Sequence, residues 1–267
     1  MGWVLGDFCF EERYRSLGPA LQLQRVCLEA AGEAPFEFCY DFPSLSMMAV
    51  YKRLGISQTG TLVRWVKPLR LEPKLEPIVH SKKLARMLGA IGNVAMRWRG
   101  SQRDDSACDL ALHPGACSAE FTALDQQLRE CPGIFTARTA EYLNWRYLAH
   151  PGESYEILAA RREGELVGYA VFSQDGEEAR IVDLCSPHEP DVIAHLLAGV
   201  LQLLTARGVA TVDMVAGSSH PWSALFRRAG FWRREESPVV AYTPNGALPF
   251  DSASLANWHL MQGERDS

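Results

Sequence analysis

The sequence predicts an α/β protein built from two similar mixed-sheet units, on three observations. Short apolar runs that read as strands alternate with stretches where apolar residues recur at helical spacing. This order occurs near both ends of the chain, where SMMAVYKRLGI at 46–56 aligns with PWSALFRRAGF at 221–231. The 267 residues also suffice for two cores, at about 150 residues per domain.

Taken in order, Trp3 to Phe10 alternates or runs apolar and reads as a strand. EERYRSLGP then turns polar, and Leu17, Ala20, Leu21, Leu23, Val26, Cys27 and Ala30 recur at helical spacing up to Gly32. FEFCY, after Pro35, is a second strand. Ser44 is placed as the N-cap of a helix carrying Met47, Met48, Val50, Tyr51 and Leu54, and Gly55 stops it. TLVRWV follows as a strand expected to pair back across 57–60, which makes 1–70 a β-α-β-α-β unit with parallel crossovers.

Pro68, Pro73 and Pro77 mark an extended linker, and residues 71–135 are assigned to this linker, a basic amphipathic helix and a loop over 101–120, after which a helical stretch rich in Leu and Gln runs to Glu130. The basic helix, at 81–103, carries Lys82, Lys83, Arg86, Arg97, Arg99 and Arg103 without an acid. Two readings compete for it. Gly89 and Gly92 suit close packing on the protein's own domains, whereas its charge suits peripheral contact with a membrane or an acidic carrier protein.

The second unit, 136–245, begins with the helix TAEYLNWRY and a hairpin, SYEILAARREGELVGYAVFSQ, turning at Glu163 and Gly164. The strand ARIVDLC, a helix over 191–207 capped by Gly208, the strand VATVDMVA, the helix PWSALFRRAGF closed by Gly230 and the strand SPVVAYT complete it. Residues 246–267 read as a loose tail.

Composition excludes several classes. Lys plus Arg number 27 against 32 Asp plus Glu, a net charge of -5, which argues against nucleic acid as a partner. The longest strongly apolar stretch, 194–204, falls short of the roughly 18 residues that span a bilayer. MGWVLGDFCF has no basic n-region, so a cytoplasmic location is expected. Seven cysteines without a C-x-x-C pair fit reduced thiols. Cys108, His113 and Cys117 lie close together but lack a fourth ligand at zinc spacing, so no metal is expected.

Chemistry concentrates in YRSLGPA. Arg15, Gly18 and Ala20 form R-x-x-G-x-A between a predicted strand and a helix N-terminus, where free N–H groups and the positive end of the dipole can hold a pyrophosphate. A side chain at Gly18 would occupy the phosphate's space, and Arg15 adds charge.

This motif resembles the signature of the GNAT superfamily of acyl-CoA N-acyltransferases, and AVYKRLGI resembles that family's short helix bearing Tyr, three residues, Gly and Phe or Ile. The two occur in the family's order. The resemblance implies two GNAT-like mixed-sheet units in tandem and direct transfer of an acyl group from acetyl-CoA or another acyl-CoA to a small-molecule or peptide amine. Carried over to these residues, Phe8, Cys9 and Phe10 would offer backbone groups to the pantetheine, and Arg15, Ser16, Leu17, Gly18, Pro19 and Ala20 would cradle the pyrophosphate. Tyr51 would protonate the departing thiolate, with Glu11 or Glu12 serving or assisting as general base. The bland alternatives are a core aromatic for Tyr51 and solvated strand-end acids for Glu11 and Glu12.

The sequence departs from the family at Ser44 and Ser46, where an Asn often contacts the cofactor. Only six residues precede Asp7, so the first unit is expected to begin in mid-fold. It would complete its sheet from upstream sequence, the second unit or a partner copy, as in a homo-oligomer. The second unit lacks R-x-x-G-x-A, has Pro190 and Asp191 in that neighbourhood, and has Phe226 where the first has Tyr51. It reads as a scaffold or acceptor-side wall that no longer binds CoA. A non-catalytic GNAT-like binding or scaffold protein is the competing reading for the whole chain.

Overall fold

The computed structural model describes residues 2–6, 8–9, 11–14, 16–33, 38–70, 108–131, 133–187, 189–243 and 258–265. The basic stretch at 81–103, Phe10 and Arg15 lie outside them. In chain order the elements are β1 (Gly2–Val4), α1 (Leu17–Glu33), β2 (Phe38–Asp41), α2 (Leu45–Arg53), β3 (Gly60–Pro68), β4 (Asp109–Leu112) and α3 (Ala119–Arg129). They continue with α4 (Ala140–Leu143), which runs into one wide turn at Asn144–Leu148, β5 (Tyr155–Arg162), β6 (Glu165–Asp175), β7 (Glu178–Cys185), α5 (Pro190–Ala206), β8 (Thr211–Gly217), α6 (Ser223–Arg228) and β9 (Trp232–Tyr242).

These strands form one nine-stranded sheet in the order β1-β2-β9-β3-β8-β7-β6-β5-β4. β1 runs parallel to β2 and β7 parallel to β8, while the other pairs are antiparallel. Outward from the central β9–β3 pair the two directions match: an antiparallel neighbour, then a parallel pair whose strands are joined through a 17-residue helix, α1 on one side and α5 on the other.

The pairing of β3 corrects the sequence reading. β3 does not return to β2; β9 of the second unit lies between them, and β3 pairs with β9 and β8. The cause lies in TLVRWV itself. Leu62, Val63, Trp65 and Val66 are all buried, and adjacent apolar residues point to opposite faces, so this strand needs cover on both sides and a central place. Each unit thus lends its last strand to the other.

Two further segments differ from expectation. Residues 109–112, in the stretch read as loop, supply β4 at the sheet edge, next to the Leu- and Gln-rich helix expected up to Glu130, which forms as α3 and packs Phe121, Leu124 and Leu128 against Tyr169 and Val171 of β6. In the expected loose tail, Trp258, Leu260, Met261 and Glu264 are buried. The main core lies under α5, where Val192, Ile193, Leu196, Leu197, Val200, Leu201 and Leu204 turn one apolar face to the sheet.

Candidate functional site

The motif-bearing residues meet where β1 and β2 part. The parallel ladder runs from Gly2↔Phe38 to Val4↔Tyr40, and a last bond joins Leu5 N–H to the Tyr40 carbonyl at 2.8 Å. α1 then crosses over this end of the sheet. Its inward seam is Leu17, Ala20, Leu21, Gln24 and Leu28, at spacings of three and four residues. Val26 on the same helix is 60% exposed, so the apolar face read from sequence was too wide.

α2 starts as expected. The Ser44 hydroxyl accepts the Met47 N–H at 3.2 Å, satisfying one of the helix's orphan donors. At its other end Gly55 adopts φ +78°, a left-handed conformation that ends the helix, and Ile56 N–H returns to the Tyr51 carbonyl at 2.9 Å. This geometry sends Tyr51 inward, where it is 1% exposed.

The Tyr51 hydroxyl donates to Asp41 Oδ2 at 2.6 Å, and Gln24 Nε2 donates to Tyr51 Oη at 3.3 Å. One polar cluster therefore joins α2, the end of β2 and α1 inside an otherwise apolar core. Burial, then the Asp41 charge, holds the Tyr51 phenol well above its ordinary pKa. Burial also raises the Asp41 carboxyl, against the hydrogen bonds from Tyr51 and the Phe42 N–H. Cys39 is pushed up to about 11 by burial and by Asp41.

The first turn of α1 lies about 9 Å along the helix from Gln24, at 1.5 Å per residue over six residues. The N–H groups of Leu17 and Gly18 precede every carbonyl the helix could offer them, Pro19 has no N–H, and the Ala20 N–H donates to the Ser16 carbonyl at 3.4 Å. Gly18 is exposed, and a Cβ built there meets nothing within 4 Å. The protein's own packing does not require glycine at that position. Leu17 and Ala20 pack inward, while Ser16 is exposed and its N–H donates to the Tyr14 carbonyl at 2.7 Å.

Other expected residues lie elsewhere. β1 ends at Val4, so Phe8 and Cys9 fall beyond the strand and are exposed. Glu12 begins a short turn, and Glu11 pairs with Arg13 at 3.0 Å on the surface. Neither acid is brought to the Tyr51 cluster. Cys108, His113 and Cys117 form no metal-binding group, and none occurs among the described residues; all seven cysteines are free.

Gln24 and Asp41 were not foreseen. Gln24 had a signal: a polar residue on the seam between Leu21 and Leu28 must find a buried partner. Asp41, directly after the apolar FCY, had a weaker one.

The second unit offers a direct counterpart. Tyr51 follows Asp41 by ten residues, and Phe226 follows Ala216 by ten. Phe226 and Ala216 are both fully buried, and Phe226 packs edge-on to Trp65 at 5.6 Å. The polar cluster of the first unit is thus apolar in the second. An open cavity of about 600 Å³ is lined by residues including His113, Asn144, Tyr155 and Ile157, none of them belonging to either cluster.

No protein-family model matches the sequence, and no curated protein matches it significantly. Solved structures do match. A GCN5-related N-acetyltransferase from Anabaena variabilis ATCC 29413 is 14% identical with a TM-score of 0.58, over 86% of this chain and 52% of its own. A conserved protein of unknown function from Enterococcus faecalis V583 is 12% identical with a TM-score of 0.61, over 91% and 54%. This chain has the fold of the GCN5-related N-acetyltransferases, as the two motifs implied. Among the matching structures is a tandem GNAT protein from the clavulanic acid biosynthesis pathway, 13% identical with a TM-score of 0.55, over 90% of this chain and 74% of its own. The chain spans about half the length of the first two structures, and no helix among the described residues is long and apolar enough to cross a membrane.

Proposed function

We propose that the chain is an acyl-CoA-dependent N-acyltransferase that takes acetyl-CoA or a related thioester at the first unit and transfers the acyl group directly to an amine acceptor. The observation that carries this reading is the meeting of the α1 N-terminus, with its unobstructed Gly18, and the Tyr51–Asp41–Gln24 cluster at the parting of β1 and β2. In this reading the first turn of α1 binds the pyrophosphate through backbone N–H groups and the helix dipole. The amine attacks the thioester carbonyl, the C–S bond breaks, Tyr51 gives its proton to the leaving thiolate, and the proton shed by the nitrogen passes to solvent, from which the phenolate is reprotonated. Asp41 and Gln24 hold the phenol in place. The acceptor is a small-molecule or peptide amine, and the expected compartment is the cytoplasm.

Calorimetric titration with acetyl-CoA tests the reading. Saturable binding that Gly18→Glu weakens by at least about tenfold is expected; binding that this substitution leaves unchanged would remove the site from α1.

A second reading, a non-catalytic protein of GNAT fold, draws on one observation: Tyr51 is almost fully buried and already spends its proton on Asp41. Saturable acetyl-CoA binding without turnover over a panel of amines would favour it.

A further inference from the structure

The second unit's counterpart of the β1–β2 fork is filled by the chain itself. β7 and β8 pair in parallel from Glu178↔Thr211 to Ile181↔Met214 and then separate. Residues 258–265 enter the gap. Met261 forms an antiparallel bridge with Ala216, and Gly217 N–H donates to the Leu260 carbonyl at 3.0 Å. β8 therefore has β3 along one edge and the tail segment along the other.

Five further contacts hold the segment, one of them backbone to backbone. The Trp258 ring meets Phe38 and Tyr40 of β2 edge-on at 5.5 and 5.7 Å, and the next N–H, of His259, donates to the Ile134 carbonyl at 3.0 Å. Gly263 lies so close under Tyr147 that a Cβ would sit 2.1 Å from its hydroxyl oxygen. The Gly263 carbonyl accepts from Arg146 Nε at 3.2 Å, and Arg146 Nη2 donates to the Arg265 carbonyl at 2.6 Å. Arg138, 3% exposed, donates both to Asp183 of β7 and to Glu264, whose other oxygen accepts the Met261 N–H at 2.6 Å.

Sheet-edge backbone bonds, an aromatic pocket and a buried cation that reads a carboxylate are among the elements by which proteins recognise extended peptides. We propose that the second unit's fork is a peptide-binding groove whose ligand is the chain's own 258–265 segment, docked in cis. Tethering raises the segment's effective concentration to the millimolar range, so the groove is filled even if its intrinsic affinity is modest. The groove's role is then to clasp the two units together, since the segment touches β2 of the first and β7, β8 and the α4 turn of the second.

The test uses the full chain. In Gly263→Leu the new side chain collides with Tyr147, so the segment leaves the groove. A fluorescein-labelled peptide of residues 256–267, followed by anisotropy, is expected to bind the variant saturably and to bind the unsubstituted protein at least tenfold more weakly. The same peptide carrying Gly263→Leu should bind neither. Equal binding to both proteins, or none to a variant that keeps its circular dichroism, overturns the proposal. If the variant does not fold, hydrogen exchange of the unsubstituted protein decides. Gly217, His259 and Met261 amides exchanging at least tenfold slower than unstructured amides support the groove, and exchange at the unstructured rate overturns it.

Discussion

The two forks of this molecule share a backbone plan and differ in what fills them. In each, two parallel strands joined through a 17-residue helix pair for a few residues and separate, and a short helix closed by a left-handed glycine, Gly55 or Gly230, packs beside the gap. In the first, Asp41, Tyr51 and Gln24 bring hydrogen-bonding and titratable groups to the parting. In the second, Ala216 and Phe226 take the equivalent positions and the charge has moved to Arg138, Asp183 and Glu264, where it holds the tail. A single framework therefore supports a polar, chemistry-capable fork and a closed structural one. The few residues that line the gap decide which.

The largest expected effect breaks the closed fork. Arg138→Met leaves Asp183 and Glu264 as two buried carboxylates without their shared cation, and loss of one member of a buried ionic network costs about 3–5 kcal/mol. Urea denaturation should show this as a fall in midpoint. A loss under about 1 kcal/mol would mean that the tail is held by its apolar contacts alone.

Next comes the contrast in chemistry. Tyr51→Phe should lower acyl-transfer turnover by about a hundredfold, in the range for loss of a general acid, with little change in acetyl-CoA affinity. Phe226→Leu should leave kcat and KM within about twofold while lowering stability. Equal turnover for the Tyr51 variant and the starting protein would leave the cluster a purely structural one.

A smaller effect separates the helix ends. Gly18→Glu should cost at least about tenfold in acetyl-CoA affinity, about 1.4 kcal/mol, through repulsion and steric conflict with phosphate, and Asp191→Ala at the head of α5 should leave it unchanged. Calorimetry on both variants checks the asymmetry, and an equal response from both would place the cofactor elsewhere.

The smallest is a dependence on pH. Burial pushes the Glu264 carboxyl up to about 7, against the pull of Arg138 and with Asp183 adding to the rise. Its folded-state pKa lies above the unfolded value near 4.5, so the carboxylate that Arg138 and the Met261 N–H hold carries a desolvation cost that protonation relieves. The associated stability is fully present below the unfolded pKa and is lost as pH rises through about 7. Exchange at Met261 and Gly217, corrected for the intrinsic pH dependence, should be slower at pH 5.5 than at pH 8.5, and Glu264→Gln should flatten the difference.

Much of the fold could be read in the sequence because it rests on local rules. The Ser44 cap, the Gly55 and Gly230 stops, the turn at Glu163 and Gly164 and the buried face of α5 each depend on residues within a few positions of one another. The candidate site was half legible for the same reason. Tyr51 and Gly18 belong to short motifs, whereas Gln24 and Asp41 gain their role from a hydroxyl 27 and 10 residues away.

The sequence alone determined most of the elements and their order, and the contrast between Tyr51 and Phe226 in its two aligned segments, because periodicity, capping and turn chemistry act over one or two turns of chain. Only the tertiary structure decided that β3 and β9 are exchanged between the units, that Asp41 and Gln24 enclose Tyr51, and that the C-terminal segment closes the second fork. Those outcomes depend on which buried surfaces and unpaired sheet edges find each other across separations from ten to more than a hundred residues. An alternating or apolar run states that a strand needs a partner and carries no information on which one it takes.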